Sequence, residues 1–455
     1  MEEVRADTFY LRSFGCQMND HDSERIAGVL VDLGFSRCAE PEKAAVLVYN
    51  TCSIREKADC RLAGHLGQAA RLKRSDGRRV VVVAGCLPQS RQDELLREYP
   101  FVDVLVGPQS LHDLPELLRR QRTERRAVSA FQEVTTAWSA DLPRSRTAGP
   151  CAWLQITAGC TNYCTYCIVP YVRGPEASRP AREILAEVRD LAGAGVREVT
   201  LLGQNVNAYG KEPSFRGAES FADLLEAMNE VEGIERIRFM TSHPKDVSPE
   251  LIRLMSQPNK VCEHIHLPAQ SGSDVILQGM GRGYTRAAYV QLVRGLQETV
   301  PGLAVTTDLI VGFPGETEAD HEQTLRLVEE CRFDGAFTFI YSPRKQTAAA
   351  GLPERVDGEV ARRRMQSLVD LVQRIGRERN EALVGNIEEV LVERPSRQTG
   401  GEVMGRTRGH KPVNFPSTAL PGDLVKVQLT QATSTSFRGK QLKAARGDRR
   451  RSGAT

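Results

Sequence analysis

No apolar run in this 455-residue chain is long enough to cross a membrane. Val80-Val81-Val82-Val83-Ala84 stops far short of the roughly 18 residues that a spanning helix needs. The opening residues, Met1-Glu2-Glu3-Val4-Arg5, do not form an export signal, so a cytoplasmic protein with no membrane partner is expected. Glycine (38) and proline (23) are too sparse for a collagen-like or low-complexity chain. With 40% hydrophobic and 26% charged residues, the composition is that of a folded protein, and its length predicts two to four domains. Neither charge sign dominates: 61 Lys and Arg stand against 58 Asp and Glu.

That balance hides an asymmetry. Val384 to Thr455 holds 13 basic and 6 acidic residues, a net +7 in a chain whose total is +3. Such a tail reads either as a polyanion contact or as a solvated basic surface.

Eleven cysteines without an export signal argue for metal or catalytic chemistry over a disulfide framework, because the cytosol keeps thiols reduced. Three of them end strand-like segments: Thr8 to Phe14 leads into Cys16, Ala45 to Tyr49 into Cys52, and Val80 to Ala84 into Cys86. The helical patterns Asp22 to Leu33 and Glu56 to Lys73 fill the gaps, which predicts βαβ units and a parallel sheet. Ligands of such sheets bind outside the carboxyl ends of the strands, so the three thiols are expected to converge at one rim. Taken singly, each could also be a buried free cysteine, the reading that holds for Cys38 and Cys60, which lack the strand-end context.

Cys160, Cys164 and Cys167 form a CxxxCxxC after the strand-like Trp153 to Thr157. A structural zinc takes four protein ligands, and no fourth Cys or His lies nearby. A cubane iron–sulfur cluster takes three thiolates and keeps one iron open, which suits it to chelating S-adenosylmethionine (SAM). Five further strand-like segments follow, Glu198 to Leu202, Ile234 to Met240, Glu263 to Leu267, Ala304 to Val311 and Ala336 to Tyr341, alternating with helical patterns. Six βα units are two short of a closed barrel, so an open partial barrel with its site at the strand carboxyl ends is predicted. Its loops carry Gly203-Gln204-Asn205-Val206-Asn207 and similar polar strings, which are either ligand contacts or turn chemistry.

Beyond a helical pattern from Glu354 to Leu383 come short β-rich runs: Glu388 to Val392, Glu402 to Arg406, Pro412 to Phe415 and Asp423 to Leu429. They predict a small barrel of the size that binds nucleic acid on one face. Arg406, Arg408, His410, Lys411, Arg438, Lys440 and Lys443 would meet phosphates there, and Phe415 and Phe437 would either stack on bases or fill the core.

The CxxxCxxC with Tyr166 before its last cysteine resembles the radical SAM signature. Longer strings, Gly15-Cys16-Gln17-Met18-Asn19, Asn50 to Ala58, Tyr166 to Gly174 and Gly203 to Gly210, resemble the methylthiotransferases of that superfamily, and in particular its tRNA-modifying members, across essentially the whole chain. Thr161 stands where that family usually has Asn. The resemblance implies an α/β chain: an N-terminal parallel α/β methylthiotransferase domain (6–122), a linker (123–145), a central open (β/α)6 partial TIM barrel of radical SAM type (146–376), a small all-β TRAM barrel that binds RNA (379–446) and a disordered tail (447–455). It also implies two [4Fe-4S] clusters, one on Cys160, Cys164 and Cys167 and the other on Cys16, Cys52 and Cys86, with two SAM used per turnover. Tyr166 would contact the SAM adenine, and Gln204 and Asn205 lie where further SAM contacts are expected. The implied reaction places a methylthio group on C2 of N6-isopentenyladenosine at position 37, in the tRNA anticodon loop, by a monomer fed by an external one-electron reductant and an unspecified sulfur donor. Siblings run the same chemistry on threonylcarbamoyladenosine or on a ribosomal-protein aspartate, and a non-catalytic iron–sulfur RNA-binding protein is the alternative from another class. Cys151, Cys262 and Cys331 are expected to be dispensable.

Overall fold

The computed structural model describes residues 7–53, 56–131, 142–146, 148–217, 219–396 and 400–442, the side chains of 56–60 excepted. Cys60, Lys443 and the expected tail 447–455 therefore lie outside the described side chains.

Continuous apolar runs such as Val46-Leu47-Val48-Tyr49 suit strands that are covered on both faces. The first sheet has six strands: β1 (Thr8–Phe14), β2 (Ser36–Arg37), β3 (Val46–Thr51), β4 (Val80–Gly85), β5 (Val104–Val106) and β6 (Val128–Ala130). They run parallel in the order β2-β1-β3-β4-β5-β6. Alternate residues feed separate cores: Val46, Val48, Val80 and Val82 pack on one side, Leu47, Tyr49, Val81 and Val83 on the other. β6 lies in the stretch expected to be linker. Only three residues long, it has no readable alternation of its own and owes its place to pairing with β5.

The second unit holds β7 (Cys151–Gln155), a two-stranded hairpin of β8 (Thr157–Ala158) and β9 (Ala177–Ser178), then β10 (Glu198–Leu202), β11 (Arg236–Phe239), β12 (His264–His266), β13 (Ala304–Val311) and β14 (Gly335–Ile340). The parallel arrays β7-β10-β11 and β12-β13-β14 are joined by a parallel bridge between Ile237 and Val261. Among the described residues no pairing closes β14 onto β7, so the six-stranded barrel is open, as expected. Ser220, Ser248, Ser273, Thr285 and Thr317 start the crossover helices, each hydroxyl accepting the backbone N–H three residues on. Ile237, Phe239, Ile265, Val305 and Leu309 face those helices. The residues between them face the lumen, and they are polar: Glu198, Arg236, Arg238, His264 and His266.

The third unit follows the helix Gly358–Glu381 and contains β15 (Ile387–Pro395), β16 (Glu402–Thr407), β17 (Pro412–Pro416), β18 (Leu424–Ala432) and β19 (Phe437–Gln441), closed in the order β15-β16-β17-β19-β18. The sequence runs gave four of the five strands; β19 completes the barrel between β17 and β18. Phe415 and Phe437 fill its core with Val390, Val413 and Val427, which excludes them as base-stacking residues.

The expected phosphate contacts are corrected in the same way. The lumen of the open barrel is plugged by the β16–β17 turn. Buried Arg236 donates to the carbonyls of Arg406 and Glu389 at 2.7 and 2.8 Å, and buried Arg238 donates to those of Arg408 and Thr407 at 2.6 and 2.7 Å. Arg408 forks onto Glu263, Lys411 pairs with Asp334 at 2.8 Å, His410 stacks edge-on against His264, and Arg406 and Arg438 pair with Glu393 and Glu402. Five of the seven positions thus fasten the small barrel, internally or to its neighbour. Lys440 is exposed on β19 opposite Gln428 of β18, and Lys426, two residues along the same face of β18, is exposed as well.

Candidate functional site

β1, β3 and β4 end in register, Phe14 beside Thr51 and Thr51 beside Gly85, so the residues that follow emerge at one rim. Cys16 follows β1 and caps the helix Gln17–Asp32; Cys52 follows β3; Cys86 opens the helix Cys86–Arg91. Glycines permit the approach. Gly85 has a φ of +101°, and a Cβ there would lie 2.4 Å from the Thr51 carbonyl oxygen; one on Gly15 would lie 2.7 Å from Cys52 Cβ. Asn19 ties the loops together, its Nδ2 donating to the Thr51 carbonyl at 3.2 Å while Asn50 Nδ2 donates to the Asn19 carbonyl at 2.7 Å.

Arg173 supplies the charge at this rim. Its Nε donates to Cys86 Sγ at 3.2 Å and its Nη2 to Asp22 Oδ2 at 2.6 Å, all three residues being buried. A hydrogen bond from the Cys52 thiol lowers Cys16 to about 6 against the opposing effect of burial, with the Arg173 charge and the Asn19 and Met18 amides assisting. Burial raises Cys86, and Arg173 opposes it.

The second set of thiols sits on the loop from β8 to the short helix Val169–Arg173. Gly159, at φ +72°, lets the loop fold back so that the Cys160 N–H reaches the Gly174 carbonyl at 2.8 Å; a Cβ there would lie 2.0 Å from the Pro175 oxygen. Burial pushes Cys160 up to about 11 and Cys167 up to about 12. Buried Arg282 donates to Cys164 Sγ at 3.3 Å and is held by the Pro268 carbonyl and the Tyr284 hydroxyl, both at 2.9 Å. Each group of three thiols therefore has one buried guanidinium aimed at a sulfur.

The two groups are neighbours. Cys86 packs on Ile168 and Val172, the cap and a residue of the short helix that follows Cys167, and Cys16 packs with Met18 against Trp153, Leu202 and Met240 at the barrel rim. Among the described residues, no three His, Cys, Asp or Glu side chains close on a single-ion site. A cubane would bind each thiolate through a different iron, and the thiols within each set are near enough to influence one another's ionisation. Cys86, Cys160 and Cys167, which burial makes resist ionisation, would suit a site whose metal supplies the missing positive charge, whereas Cys16 is already poised to ionise.

Of the other expected contacts, Tyr166 is half-buried against Met280 and Phe313, and its hydroxyl is raised by that burial. Gln204 Oε1 is buried without a partner and is available to a ligand. Asn205 is committed elsewhere: its Nδ2 donates to Asp246 at 2.8 Å and its Oδ1 accepts the His243 N–H at 3.1 Å. The sequence reading missed Arg282, Glu176 and two further orphaned polar atoms at the same rim, Gln155 Oε1 and Thr157 Oγ1, whereas Ser242, whose Oγ is also orphaned, stood in one of the polar loop strings. Arg173 stood inside a quoted string with no role attached. Cys151 begins β7 and Cys262 precedes β12, at the ends of the strands away from the rim; Cys331 ends a helix.

Glu176 gives a pH test of this rim. Its carboxyl is pushed up to about 7 by burial, with Glu212 and Asp246 adding to the effect, and its Oε1 has no partner. In the unfolded chain the group ionises near its ordinary value of 4.5. The neutral form therefore favours the fold below that value; the benefit fades as pH rises towards 7 and is gone above it. Glu176→Gln removes the penalty of the buried charge, so the variant is expected to exceed the wild type at pH 8 by on the order of 3 kcal/mol. The gap should close below about pH 5, and urea unfolding at the two pH values measures it.

Models of known families match each unit: the Radical SAM superfamily at residues 154–328, the uncharacterized protein family UPF0004 at 8–107, and the TRAM domain at 381–442. Curated relatives cover nearly the whole chain. The tRNA-2-methylthio-N(6)-dimethylallyladenosine synthase of Moorella thermoacetica is 47% identical over 96% of this chain and 98% of its own length. That of Alkaliphilus oremlandii is 44% identical over 95% and 92%. Among solved structures, the radical SAM methyltransferase TsrM of Kitasatospora setae superposes with a TM-score of 0.57 at 14% identity, covering 76% of this chain and 74% of its own. The cobalamin-dependent SAM radical enzyme OxsB superposes with a TM-score of 0.52 at 12% identity, covering 80% and 56%. At those identities the likeness concerns the fold alone, but the curated relatives decide the lineage: the chain belongs to the family of the tRNA-2-methylthio-N(6)-dimethylallyladenosine synthases, within the radical SAM superfamily.

Proposed function

We propose that this chain attaches a methylthio group to C2 of N6-dimethylallyladenosine at position 37 of tRNA, using one [4Fe-4S] cluster on Cys160, Cys164 and Cys167, a second on Cys16, Cys52 and Cys86, and two SAM per turnover. The observation that carries this reading is the placement of two guanidinium-backed three-thiol groups side by side at one barrel rim. The hydrogen on C2 of adenine lies beyond acid–base chemistry, because side-chain catalysis works only over a limited pKa range. The clusters and SAM, when bound, supply one-electron chemistry and sulfur that no side chain can, and they need an external reductant and a sulfur donor.

The chain's own residues position and shield. Arg173 and Arg282 stabilise thiolate charge in a buried setting, where unpaired anions would be costly. Met18, Leu202 and Met240 wall the rim with apolar surface and exclude water. Gln204 Oε1 offers an acceptor to the SAM or to the base. A loop nucleotide has to unstack to reach this depth, the usual posture for chemistry on a base. Lys426 and Lys440, on the exposed face of the small barrel, offer contacts to the RNA backbone.

The reconstituted enzyme, incubated with SAM, reductant and sulfide, is tested on anticodon stem-loops carrying dimethylallyladenosine or threonylcarbamoyladenosine, and on ribosomal protein. Gain of SCH3 in place of hydrogen on the dimethylallyladenosine RNA is expected. Sulfur appearing on either other substrate instead would overturn the assignment.

A further inference from the structure

The open edge of the barrel carries a largely exposed aromatic side chain. Phe337, on β14, is 53% exposed, although it lies on the lumen face of the strand. Its ring meets the buried His266 ring edge-on at 5.8 Å, and His266 Nε2 in turn stands 3.3 Å from Asp308 Oδ1. In the β13–β14 register Phe337 lies beside Asp308, and Phe339 beside Ile310. Ile310 packs in the cluster that contains Tyr166, whose neighbour in sequence is Cys167. One strand face therefore runs from the second cysteine group to an exposed ring next to a carboxylate that is 26% exposed, on the side where the barrel is open.

Resting on the reading above, we propose that Phe337 and Asp308 form the subsite that selects the N6 substituent of the target adenine: a neutral, apolar, branched five-carbon group. Phe337 offers that group a flat apolar surface, and each methylene removed from water against it favours binding. Asp308 accepts from the N6–H that a singly alkylated adenine retains. The same carboxylate works against the sibling substrate, because a threonylcarbamoyl substituent brings its own carboxylate to this position and like charges repel in a half-buried setting. Discrimination thus has an attractive half on β14 and a repulsive half on β13. The residues act on substrate choice and lie apart from the thiols.

The test compares kcat/KM of the holoenzyme on stem-loops with dimethylallyl- and threonylcarbamoyladenosine, with iron content measured for every variant. Phe337→Thr, which keeps a strand-forming residue, should lower kcat/KM on the dimethylallyl RNA about 10- to 100-fold, mainly through KM. Phe337→Leu should stay within about threefold of the wild type, since an apolar side chain of similar reach conserves the contact. Asp308→Asn, nearly isosteric, should raise relative turnover of the threonylcarbamoyl RNA about tenfold. If Phe337→Thr loses iron, Asp308→Asn and Phe337→Leu carry the test. A wild type that prefers the dimethylallyl RNA, with Phe337→Thr and Asp308→Asn keeping that preference unchanged, would refute the subsite and leave the functional reading intact. A wild type that modifies only another substrate would refute the functional reading itself.

Discussion

Arg173→Ala is expected to cost about 3–5 kcal/mol of stability, the usual penalty for removing one partner of a buried ion pair. Asp22 would be left buried and charged without its 2.6 Å partner, and Cys86 would lose the guanidinium that donates to its sulfur. The residue also joins two domains: it ends the helix that begins two residues after Cys167, while Asp22 and Cys86 belong to the first sheet's domain. The Arg173 carbonyl adds to the joint by accepting from Gln109 Nε2 at 2.8 Å. Arg173→Lys should recover little, because a single ammonium cannot reproduce a planar fork that serves a carboxylate and a thiol together. Urea unfolding of the three proteins measures this. A lysine variant as stable as the wild type would mean that charge alone, and not the fork, is what the rim requires.

The second large effect concerns the thiols. Alanine at any one of Cys16, Cys52, Cys86, Cys160, Cys164 or Cys167 is expected to reduce methylthio product by at least about 10³-fold, since no side chain substitutes for cofactor chemistry of this kind. Alanine at Cys151, Cys262 or Cys331 should leave product formation within about twofold, because Cys151 is exposed at the start of β7, Cys262 is packed at the same end of the barrel, and Cys331 is buried at a helix end. Mass analysis of the RNA product separates the two groups. Loss of product in the Cys262 variant would point to a role that the position of Cys262 before β12 does not suggest.

Much of this architecture was legible because it depends on local patterns. The barrel strands alternate with amphipathic helices, and Thr8–Phe14, Val46–Thr51 and Val80–Gly85 each run into a cysteine at a turn. Convergence of those turns followed from parallel topology alone. Tertiary partnership was not legible. β6 and β19 are short and exist by pairing. Arg236 and Arg238 gave no sign in sequence that they would bury themselves under the small barrel's turn. The basic count of the C-terminal region was correct, but Arg406, Arg408, Lys411 and Arg438 spend their charge on Glu393, Glu263, Asp334 and Glu402. A charge tally cannot distinguish a cation facing RNA from one facing a carboxylate. Asn205 shows the same limit within a loop: its polar side chain is saturated by Asp246 and His243, while the adjacent Gln204 keeps an unpaired oxygen.

The claim on which the rest depends is that the two thiol groups hold two separate clusters. Iron bound per chain after anaerobic reconstitution tests it most directly. About eight irons per wild-type chain are predicted, falling to about four in Cys86→Ala and to about four in Cys164→Ala, as two independent four-iron cubanes require. About four irons in the wild type, unchanged in Cys86→Ala, would contradict it.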